Sequence, residues 1–101
     1  MVRHVILWKV KSEYTAEERT RAILGVKEAL EALSGKIPGL VSIRVVTEAL
    51  PSSNADLMLD SLFESEEALV GYQSHPDHVA AANGFVRPHM ETRLCLDFEE
   101  E

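Results

Sequence analysis

Residues 2–10 run Val2-Arg3-His4-Val5-Ile6-Leu7-Trp8-Lys9-Val10, and the way they alternate decides the fold. Successive side chains of a strand point to opposite faces. Val2, His4, Ile6, Trp8 and Val10 therefore share one face, and Arg3, Val5, Leu7 and Lys9 share the other. A face left to solvent is normally polar, and Val5 and Leu7 break that rule. The doubling recurs downstream, where Leu57, Leu59 and Phe63 oppose Met58 and Leu62. Two apolar sheet faces need two covers. Helices can supply one; a bare second face would be an apolar patch larger than soluble monomers carry. A second copy of the chain is the expected second cover.

Outward from this strand, Thr15-Ala16-Glu17-Glu18 has the capping-box pattern, in which a threonine hydroxyl and a glutamate satisfy each other's helix-end N–H groups. Ala22, Ile23, Val26, Ala29, Leu30 and Leu33 follow at helical spacing, with Gly35 placed for a left-handed end and Pro38 beyond it. A second strand is expected over residues 40–47, with Val41, Ile43 and Val45 on one face. Pro51-Ser52-Ser53-Asn54 is a turn, and a third strand covers residues 56–63. Ser65 caps a short helix carrying Ala68, Leu69 and Tyr72. The His75-Pro76 bond interrupts it, and Pro76 opens another short helix that Gly84 ends. The last strand runs over residues 89–98, with Met90, Leu94, Leu96 and Phe98 against Arg93, Cys95 and Asp97. The order βαββα(α)β predicts an α+β, ferredoxin-like domain spanning residues 1–101: a four-stranded antiparallel sheet with helices on one face.

The chain carries 17 acidic and 10 basic side chains, a formal net charge of −7. Such a field repels phosphate backbones, so nucleic acid is not an expected partner. The apolar stretch Val5-Ile6-Leu7-Trp8 is too short for a signal segment or a membrane span, which predicts a cytoplasmic protein with no membrane partner. The single Cys95 lies in an apolar run and reads as a buried structural thiol. No phosphate-binding glycine loop, Ser/His/Asp order or dinucleotide fingerprint is present, and no cofactor is expected.

The segment Tyr72-Gln73-Ser74-His75-Pro76-Asp77-His78-Val79 resembles the signature of the stress-responsive A/B barrel (Dabb) family. Residues 2–10, Phe63-Glu64-Ser65 and Arg93-Leu94-Cys95-Leu96-Asp97-Phe98 resemble it too, so the similarity spans nearly the whole chain. The resemblance implies a homodimer whose two sheets close into an α/β barrel. The family includes plant stress proteins, uncharacterised bacterial proteins and plant polyketide cyclases. In those cyclases a tyrosine and a histidine matching Tyr72 and His78 act as acid and base, and a histidine matching His4 lines the pocket. A further pocket histidine of the cyclases corresponds to Leu57, so this chain keeps part of their set. In some relatives, carbonyls at the end of the first helix hold a cation, and Leu33 and Ile37 bracket the matching stretch.

Read as chemistry, His78 can serve as a general base because imidazole titrates near neutral pH, and Tyr72 can hydrogen-bond a carbonyl oxygen as charge develops. His4 and Trp8 share a strand face and, with His75, complete the candidate ligand-binding set. The opposing reading makes these histidines architectural, with His78 bonding backbone groups freed at Pro76 and His75 serving the helix end. His75 and His78 lie three apart with Asp77 as the one close carboxylate, too few ligands for a zinc site, so no metal is assigned. Asp56 and Asp60 read as solvated edge charges. Two functions stay open: a small hydrophobic pocket for a carbonyl or aromatic ligand, with polyketide-cyclase-like or other lyase or isomerase acid–base chemistry if it is an enzyme, or a non-enzymatic, stress-related structural protein.

Overall fold

The computed structural model describes residues 1–100. Strand β1 (Val2–Val10) leads into α1 (Ala16–Glu31), then β2 (Leu40–Val46) and β3 (Leu57–Phe63). Helices α2 (Glu66–Ser74) and α3 (Pro76–Ala81) follow, then a π-helical turn (Ala82–Val86), a 3₁₀ turn (Arg87–His89) and β4 (Met90–Glu99). The strands lie in the order β2-β3-β1-β4, every neighbouring pair antiparallel. This is the ferredoxin-like arrangement.

All helices cover one face. Val26 and Leu30 of α1 and Leu69 and Tyr72 of α2 pack with Ile6, Trp8, Leu59 and Phe63 into a single core. The even-numbered residues of β1 are buried while Leu7 and Lys9 are exposed, so the covered face carries Val2, His4, Ile6, Trp8 and Val10. The open face carries Arg3, Val5 and Leu7. Beside it, β4 presents Leu94, Leu96 and Phe98, in register with Leu7, Val5 and Arg3 and exposed at 63, 64 and 41%. The open face thus carries an exposed apolar row beside charged Arg3, with no cover among the described residues.

Several local expectations change. The capping box forms, with Glu18 N donating to Thr15 Oγ1 and Thr15 N to Glu18 Oε1. Helix α1 nevertheless stops at Glu31, and hydrogen-bonded turns carry buried Leu33 on to Gly35, whose φ is +80°. Gly39, also at φ +80°, is where the chain passes α2, and a Cβ there would lie 2.5 Å from that of Ala68. Gly84 does not end a helix; it lies inside the π-helical turn. Two register shifts move side chains between faces, since one extra residue reverses the alternation. The first leaves Val41 exposed while Ile43 and Val45 face the helices. The second, near Glu91, pairs Met90 with Val10, so Met90 joins the covered face instead of the row of Leu94, Leu96 and Phe98.

Candidate functional site

Between the helices and the β1–β4 half of the sheet lies a cavity of about 520 Å³, a size that suits a small organic ligand. Its apolar wall includes Ile6, Trp8, Leu30 and Leu59. Tyr72, His78, Arg87, Glu91 and Arg93 supply the polar groups. Local chemistry builds this wall. Ser65 Oγ accepts the Ala68 N–H at the start of α2, which sets the helix so that Leu69 and Tyr72, one turn apart, face the core. Pro76 ends α2, since its ring disfavours helix at the preceding residue, and α3 then lays His78 against Tyr72. The π-helical turn that follows, a feature frequent at functional sites, brings Val86 to the cavity. The shift in β4 adds Met90.

The Tyr72 and His78 ring centroids are 4.1 Å apart at 38°. Phe63 packs 5.0 Å from Tyr72 on another side, and His4 meets the Tyr72 ring edge-on at 6.1 Å. The Tyr72 hydroxyl is buried and has no hydrogen-bond partner among the described residues. Burial pushes its pKa well above the ordinary tyrosine range, outweighing the opposing pull of Arg93, so it stays protonated as a donor. Burial lowers the His78 pKa; the bond to Gln73 acts against this, and the charges of His4, Arg87 and Arg93 act with it. The His78 ring is therefore neutral at pH 7. Its Nδ1 lies 3.3 Å from the Gln73 carbonyl oxygen, and a carbonyl can only accept. The proton then sits on Nδ1 and leaves Nε2 as the basic nitrogen.

His4 is buried behind Tyr72 and does not line the cavity. Its Nδ1 bonds Asp97 Oδ1, and its carbonyl accepts the Ser61 hydroxyl at 2.9 Å. Trp8 is on the cavity wall. His75 is elsewhere: it caps α3, with Nδ1 accepting the Asp77 N–H at 3.1 Å. The structure thus brings together Tyr72, His78 and Trp8, sets His4 behind them and leaves His75 outside. Leu57 is buried opposite Trp8 in the ladder.

Asp56 and Asp60 are not solvated edge charges. Asp56 accepts from Arg19 and from the Val10 N–H. Asp60 lies between Arg3 and Arg44 on the open face. Cys95, expected to be buried, is exposed, because its parity on the edge strand β4 carries it beyond the helices. Partial desolvation of the sulfur and nearby Asp97 raise its pKa against a weaker influence of Arg93, so it is no activated thiolate. Its Sγ lies 3.8 Å from His4 Nδ1 and 3.6 Å from Asp97 Oδ1. Among the described residues these three form the group with metal-ligating atoms close together, a set short of the four ligands of a structural zinc site. The carbonyls of Leu33 and Ile37 accept from Lys36 and Leu40 N–H groups.

Arg87, Arg93, Met90 and Asp97 escaped sequence reasoning as site residues. The alternation of Arg93, Cys95 and Asp97 was legible, but which face that parity takes depends on pairing with β1. Among the described residues, no helix is long and apolar enough to cross a membrane.

The family described as Stress responsive A/B Barrel Domain (Dabb) matches residues 2–100. A dimeric protein of unknown function with a ferredoxin-like fold from Bacteroides fragilis is 32% identical, with a TM-score of 0.91 over 98% of this chain and 95% of that one. A Dabb family protein from Mesorhizobium loti is 24% identical (TM-score 0.74; 99% and 96% covered), and a hydroxynitrile lyase from Passiflora edulis 19% identical (TM-score 0.70; 96% and 90% covered). These last two likenesses establish the fold alone. No curated protein matches the chain.

Proposed function

The chain belongs to the stress-responsive A/B barrel (Dabb) family, and from that premise we propose that it is a homodimer whose cavity binds a small, largely apolar carbonyl or aromatic compound. The observation that carries this reading is the Tyr72 hydroxyl, buried without a protein partner beside His78 at the wall of a 520 Å³ cavity. An unmade buried hydrogen bond costs about 1–3 kcal/mol, and a ligand oxygen would supply the missing acceptor. The same pair suits lyase or isomerase chemistry. Nε2 of neutral His78 would take a proton from the carbon next to a carbonyl, while the Tyr72 hydroxyl would donate to the oxygen that gains the charge.

The dimer rests on the uncovered apolar row Leu94, Leu96 and Phe98 beside Leu7, and on the dimeric state of the Bacteroides fragilis relative. The reading requires no cofactor and no nucleic acid, and an exposed single thiol suits the reducing cytoplasm. A thermal-shift screen of carbonyl and aromatic metabolites tests the pocket. Compounds that raise the melting temperature of the wild type should lose that effect in Tyr72→Phe and His78→Ala. If none stabilises the protein, or both variants respond like the wild type, the histidines are architectural and the structural-protein reading replaces this one.

A further inference from the structure

Resting on the cavity reading above, we propose that the cavity's ligand carries a carboxylate, bound by Arg87 and Arg93 while its apolar body lies against Trp8 and Ile6.

Among the described residues, four of the chain's ten lysine and arginine side chains are ion-paired. Arg3 pairs with Asp60 and Glu100, Arg19 with Asp56, Lys27 with Glu31 and Arg44 with Asp60. Lys9, Lys11, Arg21, Lys36, Arg87 and Arg93 have no such partner among the described residues, and of these only Arg87 and Arg93 line the cavity. They arrive there from different elements. Arg87 opens the 3₁₀ turn, and Arg93 stands opposite Trp8 in the β1–β4 ladder, on the covered parity. One acidic residue lines the same cavity, Glu91, and its Oε1 accepts the Ser12 N–H at 3.1 Å. Two guanidiniums therefore face one carboxylate already engaged with backbone. Both arginine charges are felt at His78, where each disfavours the imidazolium.

The physical consequence is a cleft whose charged lining is net positive, in a protein of net negative charge. Low-dielectric walls concentrate that field, and the planar guanidinium fork matches a carboxylate with two parallel hydrogen bonds. A purely apolar ligand would leave this feature unused. A ligand with an acid at one end and a carbonyl or ring at the other would meet both the arginines and the Tyr72–His78 pair.

Trp8 is the chain's only tryptophan and lies on the cavity wall, so its fluorescence reports occupancy in the intact protein. Phenylacetate and hexanoate would be titrated beside phenylacetamide and hexanamide, which keep the shape and remove the charge. Each acid should bind about tenfold or more tighter than its amide, the scale of a charge-assisted hydrogen bond. Added salt should weaken the acids alone. In the doubly substituted R87Q/R93Q protein, the difference between acid and amide affinity should disappear. Both arginines are exposed, so the variant should melt at the wild-type temperature. Equal affinity of acid and amide, or a preference that survives the double substitution, overturns the carboxylate while leaving the cavity in place. Failure of both classes to reach Trp8 overturns the cavity reading as well.

Discussion

The two faces of β1 are built from neighbouring residues and have opposite needs. On the covered side, Val2, His4, Ile6, Trp8 and Val10 are each no more than 5% exposed, packed by three helices of the same chain. Polar groups there are few and mostly individually satisfied: Ser61 bonds the His4 carbonyl and Asp97 bonds the His4 ring, with the Tyr72 hydroxyl left over. On the open side, Arg3 reaches Asp60 and Glu100 while Leu7 faces Leu94 with no cover. The comparison teaches where each part of the molecule is completed. The covered face is finished within one chain except at the Tyr72 hydroxyl, which has no hydrogen-bond partner among the described residues. The open face keeps Leu94, Leu96 and Phe98 exposed, with no cover among the described residues.

The largest effect should come from the covered face. Phe63 is fully buried at the centre of the core, and Phe63→Ala should cost about 3–5 kcal/mol through lost transfer energy and a cavity. Urea unfolding measures it. A cost below about 1 kcal/mol would mean that this face is far less tightly packed than the structure shows.

Next is the open face. Leu96 is 64% exposed in the single chain, so Leu96→Asp should leave the helical circular dichroism intact while weakening the dimer about a hundredfold, near 3 kcal/mol. Light scattering at micromolar concentration should then drop from twice the chain mass to the chain mass. An unchanged dimer would place the interface elsewhere.

A smaller loss is expected at Asp60, where the two characters of the open face meet. Burial alone would raise its carboxyl, but hydrogen bonds from Arg3 and Arg44, with their charges, hold it below the ordinary aspartate range. Its folded pKa is depressed, so its contribution is fully present above the unfolded value near 4 and is lost as pH falls through the folded value. Asp60→Asn should cost about 1–2 kcal/mol at pH 7 and flatten that acid limb in melts below pH 4. An unaltered limb would assign it to other carboxylates.

The smallest effect, and the sharpest for the site, is at Tyr72. Its hydroxyl has no partner among the described residues, so Tyr72→Phe should leave stability unchanged or raise it by up to about 1 kcal/mol. Calorimetry should show no loss. A drop in melting temperature would reveal a bond made by the hydroxyl in the dimer and remove the argument for a ligand there.

Much of the fold was legible because it rests on short-range rules. The Thr15–Glu18 capping box, the Ser65 cap and the break at Pro76 depend on neighbours within four residues, and all appear as read. What failed depends on pairing. The end of α1 at Glu31 and the register shifts at Val41 and Glu91 answer to the strands and helices they must meet, which local spacing does not encode. The site divides the same way. Tyr72 and His78 are six residues apart across one helix break, so their meeting could be anticipated. His4 and Asp97 come from opposite ends of the chain, and Arg87 and Arg93 enter the cavity through a turn and a shifted edge strand.

By itself, the sequence determined the order of elements, the apolar character of both sheet faces and the acidic balance, since these follow from periodicity and composition. Only the tertiary structure decided which face is covered, that Cys95 is exposed while His4 is buried, and that two arginines without an acidic partner among the described residues share a cavity with Tyr72. The reason is that burial and pairing belong to groups distant along the chain, and strand register, which one bulge can reverse, sets which of them meet.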